Sequence, residues 1–90
     1  MLRVEAGVAM LEGDLTLVNA NVWLSQGEAA LQQGIAIFDL AGIQHLDSAA
    51  LSLLLSLRRR AEAASGGIEF RNIPASLTSL ATLYGVADQI

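Results

Sequence analysis

Cysteine is absent, which excludes a disulfide framework, a thiol nucleophile and any zinc site built on thiolates. Lysine is absent too. Five arginines meet nine carboxylates for a formal net charge of −4, the wrong balance for general nucleic-acid binding, which relies on a strongly cationic surface. A single histidine, His45, leaves any metal to carboxylates, and there is no HExxH or paired-histidine spacing. No GxGxxG or Walker motif is present either. No stretch approaches the roughly 20 apolar residues of a membrane span. The densest, Ala49 to Leu57, is interrupted by Ser52 and followed at once by Arg58-Arg59-Arg60. Met1 to Glu5 lacks the basic region and apolar block of a signal peptide, so the expected compartment is the cytoplasm.

What the chain does have is apolar bulk. Of 90 residues 53% are hydrophobic and the mean hydropathy is +0.50, high for a small soluble domain. A chain of this length makes one domain, residues 1–90, with room for one sheet backed by helices. Alanine and leucine supply much of the excess and favour helix. Some of that apolar surface must stay outside so small a core, which points to a partner.

The pattern alternates short strands and amphipathic helices. Leu2 to Ala6 and Val8 to Glu12 read as two strands that pair across a tight turn at Gly7, with Gly13-Asp14 as the next turn. Thr16, Asn19 and Asn21 compete to cap a first helix whose stripe is Ala20, Trp23, Leu24, Gly27 and Leu31. Gln32-Gln33-Gly34 ends it. Gly27 costs that helix about 1 kcal/mol relative to alanine unless close packing requires it, and Trp23 reads as a core or rim anchor. Ile35 to Phe38 has the signature of a strand covered on both faces, followed by a loop over residues 39–46. With the long helix after it and Ile68-Glu69-Phe70 beyond, it forms a right-handed βαβ unit with parallel strands. Gly66-Gly67 stops that helix, Pro74 starts a last one, and Gly85 caps its end. Leu77, Leu80, Ala81 and Tyr84 share a face of this last helix. The fold class is α/β, with a central mixed sheet and amphipathic helices packed mainly on one side.

The chain is organised around the segment from Phe38 to Gly67. Asp47 is a good N-cap for the long helix, with its carboxylate positioned to accept from the amides of Ala49 and Ala50. At about 100° per residue Ala50, Leu53, Leu54, Leu57, Ala61 and Ala64 form the core stripe. Ser48, Ser52, Ser56 and Arg59 lie opposite, with Leu51 and Leu55 beside them, where an ordinary surface helix carries charge. That second face predicts a docking surface. Arg58 and Arg60 read as solvated, with Arg58 able to pair with Glu62; Arg59 shares the serine face and could meet an acidic partner. A phosphate on Ser48 would gain from free amides and the helix dipole.

Catalytic readings are weak. Asp39 and Asp47 are better explained as strand-end and helix-cap residues than as an acid–base pair. A set of Ser48, His45 and Asp39 lacks any oxyanion hole. No enzyme, metal or cofactor is expected.

Gly13-Asp14-Leu15, the strand segment Ile35 to Leu40 and Leu46-Asp47-Ser48-Ala49-Ala50-Leu51 together resemble a STAS domain, the fold of anti-sigma-factor antagonists and of sulfate-transporter tails. Leu53-Leu54-Leu55 and Leu80 to Val86 are similar to the MlaB-like group, the small STAS subunits of Mla-type phospholipid ABC transporters. The resemblance implies a non-enzymatic cytoplasmic adaptor, held at the inner membrane through its partner. That partner would be the transporter's ATPase subunit, bound through Asp47, Ser48, Leu51, Ser52, Leu55 and Arg59. It also implies an alternative, an anti-sigma-factor antagonist switched by a kinase that phosphorylates Ser48. Ala49-Ala50 departs from the glycine usual there, so methyl groups would limit a partner's approach.

Overall fold

The computed structural model describes Met1–Ile90. Strand β1 (Leu2–Glu5) and strand β2 (Val8–Leu15) form an antiparallel hairpin. Its turn residues, Ala6 and Gly7, both take positive φ (52° and 79°), as a two-residue turn matched to strand twist requires. Helix α1 (Ala20–Gln32) crosses over to β3 (Ile37–Leu46), parallel to β2. Helix α2 (Ser48–Ala63) crosses over to β4 (Glu69–Arg71), parallel to β3. Helix α3 (Ala75–Leu83) and a short 3₁₀ turn (Ala87–Gln89) close the chain. The sheet order is β1-β2-β3-β4.

Two strands are longer than their patterns predict. Strand β2 runs through Gly13-Asp14, which is no turn: Gly13, at φ 109°, accompanies a register shift that lets the strand continue to the buried Leu15. Strand β3 likewise replaces the loop expected over residues 39–46. Glu12 pairs with Gly42, Gly13 with Ile43, Asp14 with His45 and Leu15 with Leu46. The irregularities break the period-2 alternation, which is why this half reads as loop. A Cβ on Gly42 would stand 2.9 Å from the Leu11 carbonyl oxygen and 2.8 Å from Glu12 Cγ, so glycine permits the close strand approach there.

Strand β3 is covered on one face, not two. Phe38 and Leu40 join Ala9, Leu11 and Leu15 beneath the helices, while Asp39 points to the other side. That open side carries two rows across the sheet, Arg3–Met10–Asp39–Arg71 and Glu5–Val8–Ile37–Glu69. Arg3 bonds Glu5 and Glu12, and Arg71 bonds Glu69.

In α2 the expected stripe is buried at Ala50, Leu53, Leu54, Leu57 and Ala61, whereas Ala64 lies past the helix end and is exposed. Trp23 is a core residue, and its indole N–H donates to the Asp14 carbonyl at 2.9 Å. Gly27 meets α2 closely, because an added Cβ would stand 2.7 Å from Leu57 Cδ2. Each helix ends with a left-handed residue beyond its last turn. Gly34 and Gly85 fill this position in α1 and α3. In α2 it is Ser65, one residue before the expected Gly66-Gly67, with Ser65 N–H donating to Glu62 O and Gly66 N–H to Ala61 O.

The arginine run is less solvated than its pattern suggests. Arg58 bonds the Gln89 carbonyl and stands 5.5 Å from the centre of the Phe70 ring, so it pins the C-terminal turn and makes no pair with Glu62. Arg60 reaches Glu28 of α1 at 3.4 Å. Tyr84, placed by pattern with the α3 core stripe, is instead 64% exposed.

Candidate docking surface

The start of α2 is where the elements converge. β3 delivers Leu46 beside Leu15 and the chain turns into the helix at Asp47, an extended residue (φ −129°, ψ −168°) suited to an N-cap. Its Oδ1 accepts from Ala49 N–H at 2.8 Å. Its Oδ2 does not serve Ala50, whose amide bonds the Asp47 carbonyl instead. It accepts from Leu17 N–H in the β2–α1 loop at 3.0 Å. Asp47 N–H donates back to Leu15 O at 3.3 Å.

From that corner Ser48, Ser52 and Ser56 climb α2 at four-residue intervals, ending at Arg59, whose guanidinium donates to Ser56 Oγ at 3.3 Å. Ser48, Ser52 and Arg59 are exposed; Ser56 is half-buried. The serines form a hydroxyl ridge between two grooves. One, of about 370 Å³, lies against α1 and is walled by Leu17, Ala20 and Leu24. The other, of about 330 Å³, runs toward α3 between Leu51, Leu55, Tyr84 and Val86.

The docking face predicted from α2 alone is therefore partly rearranged. Leu51 belongs to the core at 5% exposure, because α3 and Val86 cover that flank, and it contributes only the groove floor. Leu55 is half-buried against the same core. The methyl of Ala50 is fully buried and meets no partner, so only Ala49 lines the groove. The exposed apolar side chains at these grooves come instead from neighbouring segments: Leu17 (78%), next to Val18 (97%), on the β2–α1 loop, and Tyr84 just past the end of α3. Helical spacing could not find Leu17 and Val18, which lie in a loop, and it assigned Tyr84 to the core of α3. The visible signal was two adjacent apolar residues, Leu17-Val18, within a segment rich in capping residues.

The catalytic alternatives gain nothing from the geometry. Asp39 lies near the start of β3 and Asp47 just past its end, eight residues on and so roughly 26 Å apart at the usual strand rise. Asp39 is held by the Ala41 amide at 2.9 Å and by the Asn72 side chain, which keep its carboxyl below the usual aspartate range. His45 pairs with Asp14 at 3.0 Å in an exposed position. No group of three or more metal-ligating side chains forms, and no helix is long and apolar enough to cross a membrane.

Solved structures share this architecture. The anti-sigma factor antagonist SpoIIAA in its unphosphorylated form aligns over 92% of this chain and 81% of its own, with a TM-score of 0.68 at 20% identity. The Bacillus cell fate determinant SpoIIAA in its phosphorylated form aligns over 99% and 86%, with a TM-score of 0.71 at 20% identity. A candidate anti-sigma factor antagonist of Thermotoga maritima aligns over 100% and 80%, with a TM-score of 0.73 at 16% identity. At such identities these likenesses establish the fold. No curated protein matches the sequence significantly. The sequence profile described as Mlab, STAS domain matches residues 2–90, essentially the whole fold just described, and the chain belongs to that family.

Proposed function

We propose that this protein is a non-enzymatic adaptor in the cytoplasm that binds the ATPase subunit of an Mla-type phospholipid ABC transporter and supports its assembly and activity. The observation that carries the reading is the end of the molecule around Ser48. A neutral hydroxyl ridge lies between two grooves, one walled by the exposed Leu17, next to the exposed Val18, and the other by the exposed Tyr84. Exposed apolar side chains gathered around a shaped surface favour protein docking over catalysis. The interface would take in Ser48, Ser52, Leu55 and Arg59, with Leu51 as floor and Asp47 as support. Arg59 favours a partner carboxylate, because its only bond within the chain is to a neutral hydroxyl.

A second reading, an anti-sigma-factor antagonist controlled by phosphorylation of Ser48, is favoured by one observation. The hydroxyl of Ser48 is exposed on the first residue of α2, and the fold is that of SpoIIAA, which is known in a phosphorylated form. A phosphate there would add nearly two charges beside an otherwise neutral ridge.

Co-purification of the tagged chain with intact-mass measurement separates the two. Capture of the transporter ATPase and permease at unmodified mass, lost on Ser52→Arg while the circular dichroism spectrum is kept, supports the adaptor. Capture of a small kinase together with a phosphate mass that Ser48→Ala removes overturns it.

A further inference from the structure

The β2–α1 loop presents its apolar side chains rigidly. Asn19 bonds in two directions, its Oδ1 accepting from Thr16 N–H at 3.0 Å and its Nδ2 donating to Asp14 O at 2.8 Å. Asn19 N–H donates to Thr16 O at 3.1 Å. The loop's tie to α2 is the bond from Leu17 N–H to Asp47 Oδ2, and the other oxygen of that carboxylate caps α2. One side chain thus fixes the relative position of Leu17-Val18 and Ser48, from segments 30 residues apart.

We propose that Asp47 is the positioning residue of the docking surface. Its carboxylate locks the Leu17–Val18 loop to the first turn of α2, so that the two apolar side chains and the serine ridge meet a partner as one preformed surface. This rests on the docking reading above and extends the interface across the groove to α1. A preformed surface binds more tightly because the ordering of the loop is already done before the partner arrives. Asp47 is itself exposed and lines the groove against α1, and it holds Leu17-Val18 in place through the Leu17 amide.

The helix cap and the loop lock can be separated. Serine is as good an N-cap as aspartate, but its single short oxygen cannot serve Ala49 and Leu17 together. Amide exchange measured by NMR on Asp47→Ser is expected to show Leu17 N–H exchanging about tenfold faster, as for the loss of one charge-assisted bond. The amides of Ala49 to Leu51 should be unchanged. Loss of protection in both segments would make Asp47 a cap and no more. An unprotected Leu17 amide in the unsubstituted chain would also overturn the lock.

Binding to the purified Mla-type ATPase tests the surface itself. Val18→Ser should weaken binding about tenfold, the loss expected when one apolar side chain no longer buries its surface against the partner. Combining Val18→Ser with Asp47→Ser should cost less than the two single losses multiplied, because both act through the same loop. Independent, multiplicative losses, or full binding by Val18→Ser, would refute the two-part surface. If the ATPase fails to bind the unsubstituted chain, the proposed function falls, while the exchange of Leu17 still decides the lock.

Discussion

Replacing Gly27 with alanine sets two effects of known sign against each other. Alanine gains about 1 kcal/mol of helix propensity over glycine in the interior of α1. Its new methyl, however, would lie 2.7 Å from Leu57 Cδ2 and 3.1 Å from Cδ1. Leu57 is 1% exposed, set in the middle of α2 among Leu53, Leu54 and Ala61, so its isobutyl group has no open space to turn into. Relief requires α1 and α2 to separate or Leu57 to leave its rotamer, and overpacking of this kind costs about 1–3 kcal/mol. The expected net is a loss of about 0–2 kcal/mol, or a melting temperature lower by up to about 10 °C at this chain length. A double-mutant cycle makes the cause explicit. Leu57→Ala alone should cost about 2–5 kcal/mol through its cavity. In the Gly27→Ala background that cost should shrink by about 1 kcal/mol or more, since the added methyl fills part of the space. Thermal unfolding followed by circular dichroism reads all four proteins. A higher melting temperature for Gly27→Ala, or additivity of the two substitutions, would refute the close-packing argument.

Gly42→Ala should be harsher than Gly27→Ala, about 2 kcal/mol or more, because the Cβ meets the Leu11 carbonyl and the Glu12 backbone, which cannot rotate away; urea unfolding would show it as a lower midpoint. Ser65→Gly should stabilise by about 0.5–1 kcal/mol, because Ser65 holds a φ of 58° that glycine adopts freely, and a fall in melting temperature would contradict the assignment of the α2 end. Acid should destabilise the fold through Asp39 and Glu12, whose carboxyls are lowered by the Ala41 amide and by Arg3 respectively. As the pH falls through about 4 the unfolded chain takes up these protons first, so the contribution is present above that range and lost as the folded values are passed. Asp39→Asn should flatten the stability curve between about pH 5 and pH 2, and an unchanged slope would refute the role.

Local chemistry in the sequence anticipated the hairpin turn at Gly7, the core stripe of α2, the Asp47 cap and the left-handed Gly85. Each depends on residues within one turn or one strand pair. What escaped it depends on neighbours distant in the chain. The second half of β3 reads as loop because the register shifts against β2 break its alternation. Leu51 looks like part of a free face until α3 arrives to cover it. Arg58 looks like a surface charge until Phe70 and Gln89 are placed beside it. The α2 side of the proposed docking surface was legible, in that Ser48, Ser52 and Arg59 are exposed as the spacing predicts. Its α1 and α3 sides were not, since Leu17 and Val18 lie in a loop with no period and the helical spacing assigned Tyr84 to the core of α3.

The sheet's spatial order repeats the order of synthesis, and this bears on how the chain acquires its structure. Each strand pairs with the one made just before it, so no strand waits for a distant partner and no gap in the sheet must be filled later. The β1–β2 hairpin closes over a two-residue turn, and β3 and β4 can then add in turn to an edge that already exists. The hairpin closes a short loop at small cost, whereas each parallel pairing joins residues about 30 positions apart and is the slower step. A nascent chain could lay down its sheet strand by strand as it emerges, with α2, its cap and the Leu17 loop falling into place only once Asp47 has left the ribosome.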